Sequence, residues 1–457
     1  MSGKFVPVAR LLDDLAAGHA SSTALVDSAL AAIDDRAGEG ARVFTKVYRE
    51  RARTTAAARD ASRHAGVAGG PLDGLPVSVK DLFDVAGEPT RAGSRSRDDA
   101  PPATADADVV ARLRAAGAVV VGKTTMTEFA YSGLGLNPHD GTPRCAWDRD
   151  FDGGRGHAPG GSSSGAGVSV ADGMAVAAIG TDTGGSVRIP AAFNGLVGFK
   201  PTARRVSTAG CFPLSTTLDS IGPLAPTVDC CARIDTVLAG EAPRPLSHVA
   251  VRGLRIGLLQ DVVLDDLDVE VAHDFERTVA ALSAAGAVVE PLRFAALALM
   301  DVINGKGGFA AAEAWHLHRR ALHTREADYD PRVATRIRRG AAMTAADYLD
   351  ALEARRALIA AFGAAFGGYD AWIAPTVARI PPSLALLERD DAAYGEANFA
   401  ILRNPAIVNL LDGCAITLPV HRWGDAPVGL MLFGPALHDH ALLSIAAAVE
   451  AQLASLR

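Results

Sequence analysis

Two stretches decide how this chain is read: Pro159-Gly160-Gly161-Ser162-Ser163-Ser164-Gly165-Ala166-Gly167, and Gly180-Thr181-Asp182-Thr183-Gly184-Gly185-Ser186-Val187-Arg188-Ile189-Pro190. Between and around them, over 153–200, glycine and serine dominate and large side chains nearly vanish. A glycine loop can cradle a phosphate through its backbone N–H groups. A phosphate loop, however, sets Lys-Ser/Thr directly after its last glycine, and Ala166-Gly167 stands there instead. Taken alone, the first stretch is a tight turn feeding a helix, with serines as caps. The second is more pointed. Thr183-Gly184-Gly185-Ser186 strings together four N–H groups, two of them on glycines free to take unusual φ values. Such a run can aim several donors at one oxygen, the requirement of an oxyanion hole. Ser186 would then be the attacking hydroxyl, and a serine needs a base within hydrogen-bonding reach. His157 is one candidate, and Lys80, which ends the strand-like run Leu75-Pro76-Val77-Ser78-Val79, is the other.

Outward from these loops the chain alternates helix and strand, which predicts an α/β layer architecture. Residues 7–63 read as helical throughout, with Ser21-Ser22 as a cap, and Gly69–Gly74 is a turn cluster before the strand ending at Lys80. A helix over Asp108–Ala116 precedes a buried strand at 118–122, and a connection at 240–245 leads to a strand–helix–strand unit at 254–259, 269–285 and 287–290. Residues 309–366 read as mostly helical with an Arg/His-rich surface. His316, His318 and His323 are assigned to that surface, since no carboxylate or cysteine completes a metal set. The chain closes with strands at 371–375, 415–420 and 428–433, a helix over 404–411 and a last helix from His440.

Several motifs together resemble the amidase signature family. They are Leu72-Asp73-Gly74-Leu75-Pro76, Val79-Lys80-Asp81, Lys123–Ala130, the GGSSSG run at 160–165, Gly180–Ala191, Asn194–Thr202 and Pro427–Met431. The resemblance covers most of the chain and is weakest over 300–400. It implies an α/β/α sandwich around a large mixed sheet, forming one domain over 1–457. Its core would be 1–240 and 401–457, with a smaller variable lobe over about 241–400. It implies a Ser–cis-Ser–Lys triad of Ser186 as nucleophile, Ser162 as bridging serine after a cis Gly161–Ser162 bond, and Lys80 as base. The oxyanion hole would be the N–H groups of Thr183, Gly184, Gly185 and Ser186. Ala130, Tyr131 and Ser132 would border the acyl pocket, with Ser162 beside the substrate. Ser163 would assist, and Asp182 with Arg188 would be scaffold. No metal or organic cofactor is implied.

As a base, Lys80 must be neutral, so its pKa has to fall from a reference of about 10.4 to near 7. Burial among apolar neighbours supplies such a fall, while an adjacent carboxylate opposes it. Asp81 is expected to point to the other face of the strand. The activity implied is hydrolysis of a carboxylic amide through a serine acyl-enzyme. The alternatives are the glutaminase-type A subunit of a tRNA-dependent amidotransferase, from whose polar pattern Gly133-Leu134-Gly135-Leu136 departs, and an allophanate-type urea-derivative hydrolase. The apolar tone of the chain points to an aliphatic or aromatic amide rather than a doubly charged substrate.

Composition narrows the setting. The 457 residues carry 45 Lys+Arg and 52 Asp+Glu, a formal charge of −7, with 49% hydrophobic and 21% charged residues. That mixture excludes a disordered chain. No run of about 18 uncharged apolar residues offers a membrane span. Lys4, Arg10, Asp13 and Asp14 break any signal-peptide core, and the absence of a basic block argues against nucleic-acid binding. The five cysteines show no ligand spacing and read as reduced thiols. A cytoplasmic homodimer acting on a small-molecule amide is the resulting expectation.

Overall fold

The computed structural model describes residues 6–67 and 69–456, so Lys4 lies outside the described residues. Among the described residues eleven strands build one mixed sheet: β1 (Phe44–Val47), β2 (Pro76–Lys80), β3 (Val119–Thr124), β4 (Ala177–Asp182), β5 (Val197–Lys200), β6 (Ser220–Ala225), β7 (Arg255–Leu259), β8 (Val288–Leu292), β9 (Ala371–Pro375), β10 (Cys414–Pro419) and β11 (Gly429–Gly434). Their spatial order is β1-β3-β2-β4-β6-β5-β10-β11-β9-β7-β8. The runs β3-β2-β4 and β9-β7-β8 are parallel, and every other neighbouring pair is antiparallel.

Both faces of the sheet are covered, as the alternation of side chains along a strand makes visible. Leu430 and Leu432 of β11 join a core shared with helices Asp108–Ala115, Val228–Ala239, Val269–Ala284 and Asp439–Leu453. Met431 and Phe433, between and after them, join a second core with Leu358 and Phe362 of helix Ala345–Phe366. Central strands buried on both sides therefore read as continuous apolar runs.

The glycine–serine texture of 153–200 follows from packing. Helix Ser164–Ala171 is wholly buried, and a Cβ on its Gly165 would lie 2.5 Å from the Val43 carbonyl oxygen. Two sequence expectations are corrected. The stretch 7–63 is not all helix, because Phe44–Val47 pairs antiparallel with β3 as an edge strand. The helix expected over 404–411 begins much earlier, spanning Asp391–Leu410 with Asp390 capping it through the N–H groups of Ala392 and Ala393. Pro405 within it mimics a helix start, since proline favours the first helical position.

Candidate active site

β2 and β4 run parallel side by side inside the sheet, so the C-terminal end of one and the loop leaving the other meet. Lys80 closes β2 and is fully buried. Its Nζ lies 2.7 Å from Ser162 Oγ and 2.8 Å from Thr181 Oγ1 of β4. Burial pushes the Lys80 ammonium down to about 7, against the opposing pull of Cys211, Asp219 and Asp182. Asp81 does not contribute to this shift. Its carboxylate pairs with Lys123 Nζ at 2.9 Å, and burial pushes its own pKa up.

Ser162 follows a cis Gly161–Ser162 bond, and its carbonyl accepts the Thr127 N–H at 3.0 Å. The Ser163 N–H donates to the Ser186 carbonyl at 3.3 Å, which ties the two glycine–serine loops together. The Ser163 hydroxyl donates to the Thr181 carbonyl at 3.4 Å.

The loop 183–187 is shaped by Asp182. Its carboxylate accepts the N–H groups of Gly185 at 2.8 Å and Val187 at 3.1 Å, and holds Arg188 through Nε and Nη2 at 3.0 and 2.8 Å. Burial works to raise the Asp182 pKa, but the Arg188 charge and hydrogen bonds keep it well below the usual carboxylate range. Asn409 completes the knot, accepting from Arg188 Nη2 at 2.7 Å and donating to the Asp182 carbonyl at 3.1 Å. One expectation changes in consequence: the Gly185 N–H is engaged by Asp182 and is not available to an oxyanion. The N–H groups of Thr183, Gly184 and Ser186 make no such bond among the described residues.

Sequence reasoning missed Asp219 and Thr181. Asp219 is half-buried, accepts from Thr183 Oγ1 at 2.5 Å and from the N–H groups of Leu214 and Ser215, and is pushed by desolvation up to about 6. Its only sequence signal is a lone acid before β6, which looks like any loop residue.

Ser186 lines a cavity of about 200 Å³ together with Ala130, Tyr131, Ser132, Thr183 and Gly184. Leu214, Leu218, Phe309, Leu402 and Leu410 give it an apolar wall, and Arg336 and Arg339 stand among its lining too. Phe129 and Ala130 hold left-handed φ values of 49° and 60°. The Ser132 hydroxyl is engaged on two sides, donating to Asn398 Oδ1 at 2.9 Å and accepting from Tyr394 Oη at 2.7 Å. His157 stacks on Trp147 and Phe151 with ring centroids 4.4 Å away in each case, remote from the Lys80 cluster in its bonding. Of the histidines assigned to the surface, His316 and His323 are exposed, but His318 is buried against Phe129, its Nδ1 3.1 Å from Tyr329 Oη. It turns inward because helix Gly308–Arg325 packs that face over the acyl-pocket turn.

The family model for Amidase matches residues 25–443. The chain belongs to the amidase family. It is thus a hydrolase acting on C–N bonds. A 2-amino-5-chloromuconic acid deaminase of Comamonas testosteroni is 42% identical over 416 residues, covering 88% of this chain and 86% of that protein. The A subunit of the glutamyl-tRNA(Gln) amidotransferase of Streptococcus pneumoniae is 32% identical over 467 residues, covering 94% and 93%. A crystal structure of an amidase superposes with a TM-score of 0.88 at 34% identity, covering 98% of this chain and 100% of that one. Among the described residues no helix is long and apolar enough to cross a membrane.

Proposed function

We propose that Ser186 is the nucleophile, Ser162 the bridging hydroxyl and Lys80 the base of an amidase that works through an acyl-enzyme. One observation carries the reading: a fully buried Lys80 amine, 2.7 Å from Ser162 Oγ, with its pKa brought down to about 7. A neutral amine donates an N–H to Thr181 Oγ1, which leaves its lone pair to accept the Ser162 proton. Ser162 in turn takes the proton of Ser186 as Ser186 Oγ bonds to the substrate carbonyl carbon. The tetrahedral oxyanion is held by the N–H groups of Thr183, Gly184 and Ser186. Collapse breaks the C–N bond, and the proton passes from Lys80 through Ser162 to the leaving nitrogen. Water then attacks the acyl-enzyme by the same relay and releases the carboxylate.

Asp182 and Arg188 hold the loop without touching substrate, and Ala130 and Tyr131 border the acyl group. Residues 241–400 contribute the helices that roof the site, the variable part of a single domain over 1–457. The deaminase relative bears the name of an enzyme that removes nitrogen from an amino-substituted acid, so ammonia release is the first readout to follow. A cytoplasmic homodimer is the proposed working state, and sizing by light scattering that returned a monomer would refute it. The central test is intact-mass spectrometry after a fluorophosphonate probe. Wild type gains one adduct and Ser186→Ala gains none. Labelling of Ser186→Ala would move the nucleophile elsewhere, and amide turnover by the chain alone, with no partner chains, separates this reading from the amidotransferase one.

A further inference from the structure

Between Asp182 and Ser186 the chain runs Thr183-Gly184-Gly185, so Thr183 carries the one side chain by which this part of the loop can be held. Its hydroxyl donates to Asp219 Oδ1 at 2.5 Å. The other oxygen of the same carboxylate accepts the N–H groups of Leu214 and Ser215 at 3.0 and 3.1 Å. That turn is closed on itself as well, since the Leu218 and Asp219 N–H groups donate to the Ser215 carbonyl at 3.1 and 2.8 Å. Fixing the turn needs only one carboxylate oxygen. The second is turned onto a loop from another strand.

Sheet register explains how the two meet. Ser220 opens β6 opposite Asp182, the last residue of β4, and its hydroxyl donates to the Asp182 carbonyl at 2.8 Å. Asp219 and Thr183 are therefore the residues just beyond the end of an antiparallel ladder, side by side. Thr183, Leu214 and Leu218 line the cavity beside Ser186, whereas Asp219 lines a different one of about 820 Å³ with Cys211, Arg204, Arg355 and Asp412. Asp219 thus stands behind the wall of the acyl cavity and acts through what it holds. The Asp182 carboxylate reaches past Thr183 to the Gly185 and Val187 N–H groups, leaving the start of the loop to Asp219. The charge of Asp219 also acts on Lys80, favouring its ammonium form together with Cys211 and Asp182, and Lys80 in turn favours the Asp219 carboxylate.

We propose that Asp219 is a positioning residue for the reaction: by gripping the Thr183 hydroxyl it aims the Thr183 N–H at the oxyanion, and its charge steadies the Lys80 ammonium that forms when Ser162 hands over its proton. This rests on the amidase reading above. A donor that is held before the reaction costs no reorganisation when the oxyanion appears, which is where such a grip earns its effect.

The test separates grip from charge. Thr183→Val removes the hydroxyl at nearly constant shape, Thr183→Ser keeps it, and both leave the turn at 214–215 capped. In Asp219→Asn the carboxamide accepts the same two N–H groups and donates to Thr183 Oγ1, so the grip stays and the charge goes. Hydrolysis of hexanamide is followed by ammonia release, and the rate of phosphonylation by the fluorophosphonate probe gives a second readout for any acyl preference. Thr183→Val should lower kcat by about 10–100-fold with KM within about threefold, and Thr183→Ser should restore most of it. Asp219→Asn should move the acid limb of kcat/KM to lower pH by about half a unit or more, with Cys211 and Asp182 still in place. A wild-type rate in Thr183→Val, a serine variant as slow as the valine one, or a rise in KM at unchanged kcat overturns the grip. An acid limb that stays put in Asp219→Asn overturns the role of the charge. Each of these is read against a wild type that hydrolyses the amide and is labelled at Ser186, so the amidase reading survives them. A wild type that does neither overturns the amidase reading, and the positioning role falls with it because no oxyanion forms there.

Discussion

Lys80 has two properties that pull in opposite directions. Its burial brings the ammonium down to about 7, so near neutrality a good share of the amine is free to take a proton. The same burial costs stability. The unfolded lysine keeps its proton up to its ordinary value of 10.5, whereas the folded one releases it from about 7. Between those values the unfolded chain binds more protons, so stability rises with pH across that window; below pH 7 the penalty is present in full. Two outcomes are expected. The kcat/KM of the wild type climbs through an apparent pKa near 7, and Lys80→Ala loses about 10²–10⁴-fold at pH 7. A flat profile, or an unimpaired alanine variant, would mean another group takes the proton. Lys80→Met, compared with wild type by denaturant titration, should be relatively more favoured at pH 6 than at pH 10. The difference is on the order of 4 kcal/mol for a fall of that size, and equal values at both pH would show that the amine is not desolvated. That Lys80 and Ser162 would meet was legible only through the resemblance of their motifs to the amidase signature family, since nothing in their spacing along the chain brings them together. Thr181 was legible as a motif residue but not as a partner of Lys80, since that depends on the parallel register of β2 and β4. Arg336 and Arg339 were illegible: on an arginine-rich helix, a cavity-facing guanidinium and a solvated one have the same sequence.

At the scale of elements, the glycines sort by what surrounds them. A Cβ at Gly165 would meet the Val43 carbonyl oxygen at 2.5 Å and Thr125 backbone atoms at 2.9 Å, and backbone cannot step aside as a side chain can. Gly363 lies inside helix Ala345–Phe366 with nothing within 4 Å of its Cβ position. Gly165→Ala should therefore destabilise by about 1–3 kcal/mol through overpacking, while Gly363→Ala should stabilise by about 0.5–1 kcal/mol through helix propensity. Thermal melts of the two variants check this, and a shift of the same sign in both would contradict it. The scarcity of large side chains over 153–200 was visible in the sequence, and its cause is this close approach. The edge strand β1 was not visible, because four residues between two helices carry too short a period to separate from them.

For the whole molecule, the question is whether 241–400 unfolds with the rest. Its strands β7, β8 and β9 continue the same sheet, and β9 pairs with β11 from the C-terminal part through four residue pairs from Leu430↔Pro375 to Phe433↔Trp372. The aromatic side chains cross the same junction. Trp372 is 5.0 Å from Phe362, 5.5 Å from Phe294 and 6.0 Å from Phe433, ring to ring, so one buried cluster joins residues from both parts. The sequence showed the strands of both parts but not that they share a sheet, since pairing between strands far apart in the chain leaves no local pattern. Breaking the β9–β11 junction would strand a ladder edge and expose the cluster. Unfolding should therefore be one event in which the fluorescence of Trp372 and the far-UV circular dichroism change together. Comparing denaturant midpoints from the two signals tests this, with Trp147, Trp315 and Trp423 replaced by Phe so that Trp372 alone reports. Coincident midpoints would make 241–400 a wall of the same cooperative unit that holds Lys80 in place. A fluorescence change that precedes the loss of ellipticity would make it a separately melting layer, free to move over the cavity while the β2–β4 pair stays folded.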